Sequence, residues 1–156
     1  MIEKVIEGIN SFDLNRRTCF QVDWSKEGIG FLLLQKYCLC AGNTPRCCPV
    51  GWRLCYVNSR FLSPAESRYV PIEGEMLAIV WGLKKTRHWV AGCPDLVVAT
   101  DHKPLLGVFE KDIGDVDNPR LRALMEKTLQ FHFEVVHLPG VINLGADATS
   151  QNPVAT

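Results

Sequence analysis

The order of its apolar runs predicts an α/β domain, a mixed five-stranded sheet flanked by helices. Three observations predict it. β-rich runs over residues 18–23, 31–37 and 52–58 follow one another with turn-forming segments between, as hairpin strands do. After them helical and strand-like stretches alternate, which calls for parallel pairing beside the hairpins. At 156 residues the chain is long enough for one domain with a full core.

In order, residues 1–17 are polar and mixed in charge, a short helix and linker ahead of the domain proper. TCFQVD (18–23) is the first strand, and WSKEGIG turns the chain with Gly28 and Gly30 into the second, residues 31–37. Residues 38–51, CLCAGNTPRCCPVG, form a Cys-rich loop insertion. A third strand fits 52–58, and SRFLSPAESRYVP connects it to a helix that runs to about Trp89. GCPD ends that helix. LVVATD (96–101) is apolar without alternation, as expected of a central strand covered on both faces. Asn118-Pro119 opens a helix to about Gln130, residues 133–138 form a last strand, and GADATSQ starts a final helix. The domain thus spans 18–150, with 151–156 as a tail.

Composition narrows the function. Seventeen basic and seventeen acidic side chains cancel, which excludes a strongly basic whole-protein footprint but leaves room for a local basic groove. No apolar run approaches the roughly 20 residues of a membrane span. MIEKVIEGINSFDLNRR is not a signal peptide, and seven cysteines, an odd number, argue against a disulfide scaffold. A reducing compartment is expected.

The stretch from Tyr69 to Leu83 organises the rest. Met76, Ile79, Val80 and Leu83 recur at the spacing of a buried helix face, and Glu75 lies one turn before Ile79 on that side. A carboxylate there loses hydration and needs a cation or hydrogen-bond donors. Asp23 and Asp101 each close a strand, and Asp147 follows a glycine at a helix start. If the strands of Asp23 and Asp101 are parallel neighbours, both carboxylates emerge at one sheet edge, with Glu75 above. Such a cluster suits Mg²⁺ or Mn²⁺ and two-metal phosphodiester hydrolysis. Strand-end and helix-cap acids serve purely structural roles equally well, so spacing alone leaves both readings open.

Four blocks carry a resemblance. FQVDWSKEGIGFLLLQ, SRFLSPAESRYVPIEGEMLAIVWGLKKTRHWV, VVATDHKPLL and NPRLRALMEKTLQFHFEVVHLPGVINLGADATS occur in this order between about Cys19 and Ser150. Together they resemble the RNase H domain of Gypsy-type LTR retrotransposon polyproteins. The resemblance implies an RNase H-like fold and metal-dependent endonucleolytic cleavage of the RNA strand of RNA–DNA hybrids during reverse transcription. It implies two Mg²⁺ or Mn²⁺ ions held by Asp23, Glu75, Asp101 and Asp147. In the family's E-x-L-A-x-x-W-x-L register the catalytic glutamate is Glu75, and Glu73 is a neighbour. The order, with the glutamate second, differs from that of integrases. The implied partners are the hybrid and an adjacent reverse transcriptase domain, with no membrane, and the implied location is a cytoplasmic retroelement particle or the nucleus.

The family's A-D-A-L-S-R ending reads ADATSQ here, which removes a Leu and a basic residue from the segment that helps hold Asp147. His137, on the strand before it, reads as structural. Expected nucleic-acid contacts are Ser25, Asn58, Ser59, Arg60, His102, Lys103, Arg120 and Arg122. The basic end of the middle helix, Lys84, Lys85, Arg87 and His88, suits its own C-terminus at least as well. A rival reading is a catalytically silent module of the same fold that binds nucleic acid or tethers a polymerase, although a tether has no need of four acids. Cys38, Cys40, Cys47 and Cys48, with Cys55 as a spare, leave three states open: a zinc site of unusual spacing, a disulfide under oxidising handling, or free thiols.

Overall fold

β1 (Thr18–Trp24), β2 (Gly28–Lys36) and β3 (Trp52–Phe61) form the antiparallel hairpins, and β4 (Leu96–Thr100) and β5 (Glu134–His137) add parallel to β1. The resulting sheet is mixed, with strand order β3-β2-β1-β4-β5. These are features of the computed structural model, which describes residues 11–42, 44–48 and 51–139. Four helices accompany the sheet: α1 (Pro71–Lys85), α2 (Arg87–Val90), α3 (Pro104–Glu110) and α4 (Pro119–Glu126).

The core forms where α1 lies on the sheet. Phe20, Val22, Ile29, Phe31 and Leu33 point up from β1 and β2 to meet Met76, Ile79, Val80 and Leu83, the face that the helical spacing marks as buried. Burying side chains of this size is worth about 1.5–3 kcal/mol each. Two glycines let α1 come so close. A Cβ on Gly82 would stand 2.0 Å from the Phe20 ring, and one on Gly74 would stand 2.2 Å from the Trp24 indole. The helix backbone therefore rests directly on two aromatic rings, which holds its first turn at a defined height over the end of β1.

Several boundaries differ from the sequence reading, each for a local reason. β3 runs three residues past Asn58, because Asn58, Ser59 and Arg60 pair with Phe31, Gly30 and Ile29 of β2. Their polarity suggests a loop, but the ladder continues. The long helix stops at Lys85 instead of Trp89, where Thr86 turns out of helical geometry at φ −105°, ψ 12° and its hydroxyl donates to the Gly82 carbonyl at 2.9 Å. α4 ends at Glu126, four residues earlier than expected. It begins as expected, with Asn118 Oδ1 accepting from the amides of Arg120 (3.0 Å) and Leu121 (3.1 Å). Part of the expected linker belongs to the domain. Phe12 stacks on Trp89 at 6.2 Å, and the Asp13 amide donates to Gln35 Oε1 at 2.9 Å. The final helix expected at GADATSQ lies outside the described residues.

Candidate active site

β1 and β4 run parallel with Gln21 opposite Ala99, so two residues further on Asp23 and Asp101 reach the same carboxyl edge of the sheet. The glycine contact at residue 74 sets the start of α1 above that edge, and Glu75 hangs over it. One carboxylate oxygen from each of Asp23, Glu75 and Asp101 lies within 4.8 Å of the others. Asp23 and Glu75 are buried and Asp101 is half-buried.

Glu75 is held at both oxygens. Oε1 accepts from the Trp24 amide at 3.1 Å and Oε2 from the Thr100 hydroxyl at 3.1 Å. The Thr100 hydroxyl in turn accepts from the His102 amide at 3.1 Å, so one small side chain links Glu75 to the turn after β4. The rest of that turn is fixed by β5, with a ring nitrogen of His137 3.2 Å from the Asp101 carbonyl. His137 thus has the structural role its strand position suggests. Burial pushes the Glu75 carboxyl well above the ordinary range, and the charges of Asp23 and Asp101 push it further, against the two hydrogen bonds. Three carboxylates this close repel one another unless a cation lies among them. An all-oxygen donor set with two buried members fits a hard divalent ion such as Mg²⁺ or Mn²⁺. Asp147, the expected fourth acid, lies outside the described residues.

Glu73, two residues before Glu75, does something else. Its carboxylate accepts from the Val70 amide at 3.2 Å, from Asn118 Nδ2 at 2.8 Å and from the Arg120 guanidinium at 3.1 Å. It caps its own helix and ties α1 to the start of α4.

The family of the RNase H-like domain found in reverse transcriptase matches residues 13–131. The chain belongs to this family. Among relatives of this RNase H-like domain, the Retrovirus-related Pol polyprotein from transposon opus of Drosophila melanogaster is 36% identical over 95 residues, covering 61% of the chain and 9% of the relative. The Transposon Tf2-3 polyprotein of Schizosaccharomyces pombe is 29% identical over 144 residues, covering 92% and 10%. The chain spans about a tenth of the length of these curated relatives. Solved structures share the fold. LC11-RNase H1 in complex with RNA/DNA hybrid aligns with TM-score 0.60 at 14% identity, over 86% of this chain and 94% of that one. RNase H1 from the halophilic archaeon Halobacterium salinarum aligns with TM-score 0.58 at 16% identity, over 86% and 95%. The foamy viral protease-reverse transcriptase in complex with RNA/DNA hybrid aligns with TM-score 0.56 at 11% identity, over 97% and 21%. Among the described residues no helix is long and apolar enough to cross a membrane.

The RNase H-like domain distributes the expected nucleic-acid contacts unevenly. Ser25, His102 and Lys103 stand within two residues of Asp23 or Asp101. The Ser25 hydroxyl also builds its turn, accepting from the amides of Glu27 (3.3 Å) and Gly28 (3.2 Å). Asn58 and Ser59 are 2% and 1% exposed within β3, and Ser59 is thus part of the strand and not of the connection after it. Arg60 forms a two-pronged ion pair with Glu66, at 2.7 and 2.9 Å, and lies over the Trp81 ring. Those bonds from Arg60 hold the Glu66 carboxyl below its ordinary value. Arg120 is bound to Glu73 and stacks on Tyr69, and Arg122 donates to the Val116 carbonyl at 2.9 and 2.6 Å. The three arginines all have internal work, which their positions in the sequence do not reveal. Sequence reasoning missed Thr100 and the Trp24 amide as the groups that orient Glu75. A hydroxyl residue just before a strand-ending acid was the available signal.

Proposed function

We propose that this RNase H-like domain is a divalent-metal-dependent endoribonuclease that cleaves the RNA strand of RNA–DNA hybrids during reverse transcription of a Gypsy-type LTR retroelement. The observation that carries the reading is the meeting of Asp23, Glu75 and Asp101 at the carboxyl edge of β1 and β4. Two Mg²⁺ or Mn²⁺ ions would be held by these three acids and by Asp147. When bound, the ions supply an activated water and charge stabilisation at the leaving oxygen.

The chain's own residues prepare that chemistry. Burial of Asp23 and Glu75 strengthens their hold on a cation by excluding competing water. The bonds from Trp24 and Thr100 keep Glu75 in one orientation, so the carboxylates need no rearrangement as charge develops. Ser25, His102 and Lys103 are proposed phosphate contacts beside the acids. Asn58, Ser59, Arg60, Arg120 and Arg122 would serve more distantly, by shaping the surface the hybrid lies on. With zero net charge the domain would bind hybrid weakly by itself, and a reverse transcriptase domain joined to it would raise the local concentration of substrate.

The test is cleavage of a labelled RNA–DNA hybrid with Mg²⁺ or Mn²⁺, compared with Asp101→Asn. RNA cuts with 3′-hydroxyl and 5′-phosphate ends, lost in the variant and in chelator, are the expected result. No metal-dependent cleavage, or equal cleavage by the variant, would overturn the proposal.

A further inference from the structure

The loop between β2 and β3 brings together a second group of ligands, far softer than the first. Cys38 leaves the end of β2, Cys40 follows on the exposed rim, and Cys47 returns beneath them. One sulfur from each lies within 4.8 Å of the other two. Cys38 Sγ and Cys47 Sγ are 3.8 Å apart. That is too far for a disulfide, whose sulfurs are about 2.05 Å apart. It equals the edge of a tetrahedron of sulfurs around an ion with bonds of about 2.3 Å, the zinc–thiolate length, for which the edge is about 3.8 Å. Cys48 adjoins Cys47 in the chain. Cys55 takes no part: it is buried in β3, with its thiol on Gln35.

The surroundings fit a thiolate cluster. The Trp52 indole N–H donates to Cys47 Sγ at 3.4 Å, a bond that favours the thiolate and fixes its direction. Lys36 clasps the loop from beneath, its ammonium donating to the Cys40 carbonyl and, at 2.7 Å, to that of Gly42. Arg16 and Arg53 sandwich Tyr37, the residue before Cys38, at 3.7 and 4.2 Å from the ring centre. Backbone passes tightly over two of the cysteines: a Cβ on Gly51 would stand 2.4 Å from Cys38 Cβ, and one on Gly42 would stand 2.4 Å from Cys47 Cβ. Cys38 and Cys47 pack with Trp52, Cys19 and Leu138 in a smaller core cluster apart from the one under α1.

We propose that Cys38, Cys40 and Cys47 bind one structural zinc ion that staples the β2–β3 loop beside this second cluster, with Cys48, the next residue, completing the tetrahedron. Thiolates select zinc over the hard ions suited to the acids, so the two centres take different metals. The site is independent of the nuclease reading and stands or falls separately from it.

The experiment uses the full chain carrying Asp101→Asn, so that the acids contribute less to any zinc found. It is made in zinc-supplemented medium and purified under reductant without chelator. Elemental analysis should give about one zinc per chain, and cobalt substitution should give the visible bands and sulfur charge-transfer absorption of tetrahedral thiolate cobalt. Cys40→Ser and Cys47→Ser should each weaken zinc binding by more than about 100-fold, beyond the loss of an outer-shell partner. Cys40 is exposed, so its variant should keep the wild-type far-ultraviolet circular dichroism and isolate ligand loss from unfolding. Much less than one zinc, iron in its place, zinc retained by both variants, or a Cys38–Cys47 disulfide under reductant would each overturn the assignment.

Discussion

Glu73 and Glu75 stand two residues apart on one helix, are both buried, and do opposite things. Glu73 faces donors: an amide, an asparagine and an arginine. Burial by itself would raise its carboxyl, but the bonds from Asn118, Arg120 and Val70 outweigh that and hold it below the ordinary range. Burial pushes Glu75 upward, and the two carboxylates it faces push it further. One acid arrives already neutralised by the protein, and the other leaves its charge for a cation from outside. Burial beside two other carboxylates raises Glu75, whereas hydrogen-bond donors settle Glu73.

The largest expected effect tests that separation directly. Glu75→Gln should lower hybrid cleavage by about 10³-fold, since several kcal/mol of metal-borne stabilisation correspond to three decades in rate. Glu73→Gln should stay within about tenfold of wild type, assayed below its melting temperature. Equal losses would mean that both acids belong to the active site. Next, Thr100→Val removes the hydroxyl that links Glu75 to the His102 amide and leaves every acid in place. It should weaken Mg²⁺ binding by about 10–100-fold, the usual cost of losing an outer partner. Saturating Mg²⁺ should restore most of the rate. A fall in rate that excess metal does not rescue would refute this positioning role.

The same contrast shows what the sequence makes legible. Apolar periodicity located α1 and its buried face, because burial of one stripe is a local pattern. Strand-terminal acids marked the carboxyl edge, because parallel pairing converts position along a strand into position in space. The family's motif order decided between Glu73 and Glu75, which periodicity could not do. Partners distant in sequence stayed hidden: Arg120 lies 47 residues from Glu73, and Thr100 lies 25 from Glu75. Arg120, which looks like a phosphate contact, is for that reason read as a surface group. Ser59 and Arg60, read as the start of a connection, belong to β3, since polar residues continue a strand wherever the ladder satisfies their backbone.

A smaller effect is expected on stability. Glu73→Ala removes a cap and a tie between helices at a buried carboxylate, a loss of about 2 kcal/mol given that Arg120 is half exposed. For a chain of this size the melting temperature should fall by about 4–8 °C. The sign with pH follows from the lowered carboxyl. Its stabilisation is complete above the ordinary carboxylate range and disappears as pH falls through the folded value. Wild type and variant should therefore converge in acid, and a gap that stays constant across pH would rule out the ionic tie.

Glu75 should show the reverse, and by the smallest margin. Its folded carboxyl is raised, so between the ordinary carboxylate range and the raised value the native state holds a proton that the unfolded chain has released. Stability of the metal-free domain should accordingly decline as pH rises through that window. Glu75→Gln keeps an acceptor for the Trp24 amide and removes the charge that Asp23 and Asp101 oppose. In chelator at neutral pH it should melt a few degrees above wild type, at about 2–4 °C per kcal/mol. The gap should close toward acid pH and also when Mg²⁺ is restored to wild type. Chelator strips a thiolate-bound zinc from both proteins alike, so the difference between them isolates the acids. A variant no more stable than wild type in chelator would mean that the three carboxylates do not strain the empty site, and that Glu75 is settled by the protein much as Glu73 is.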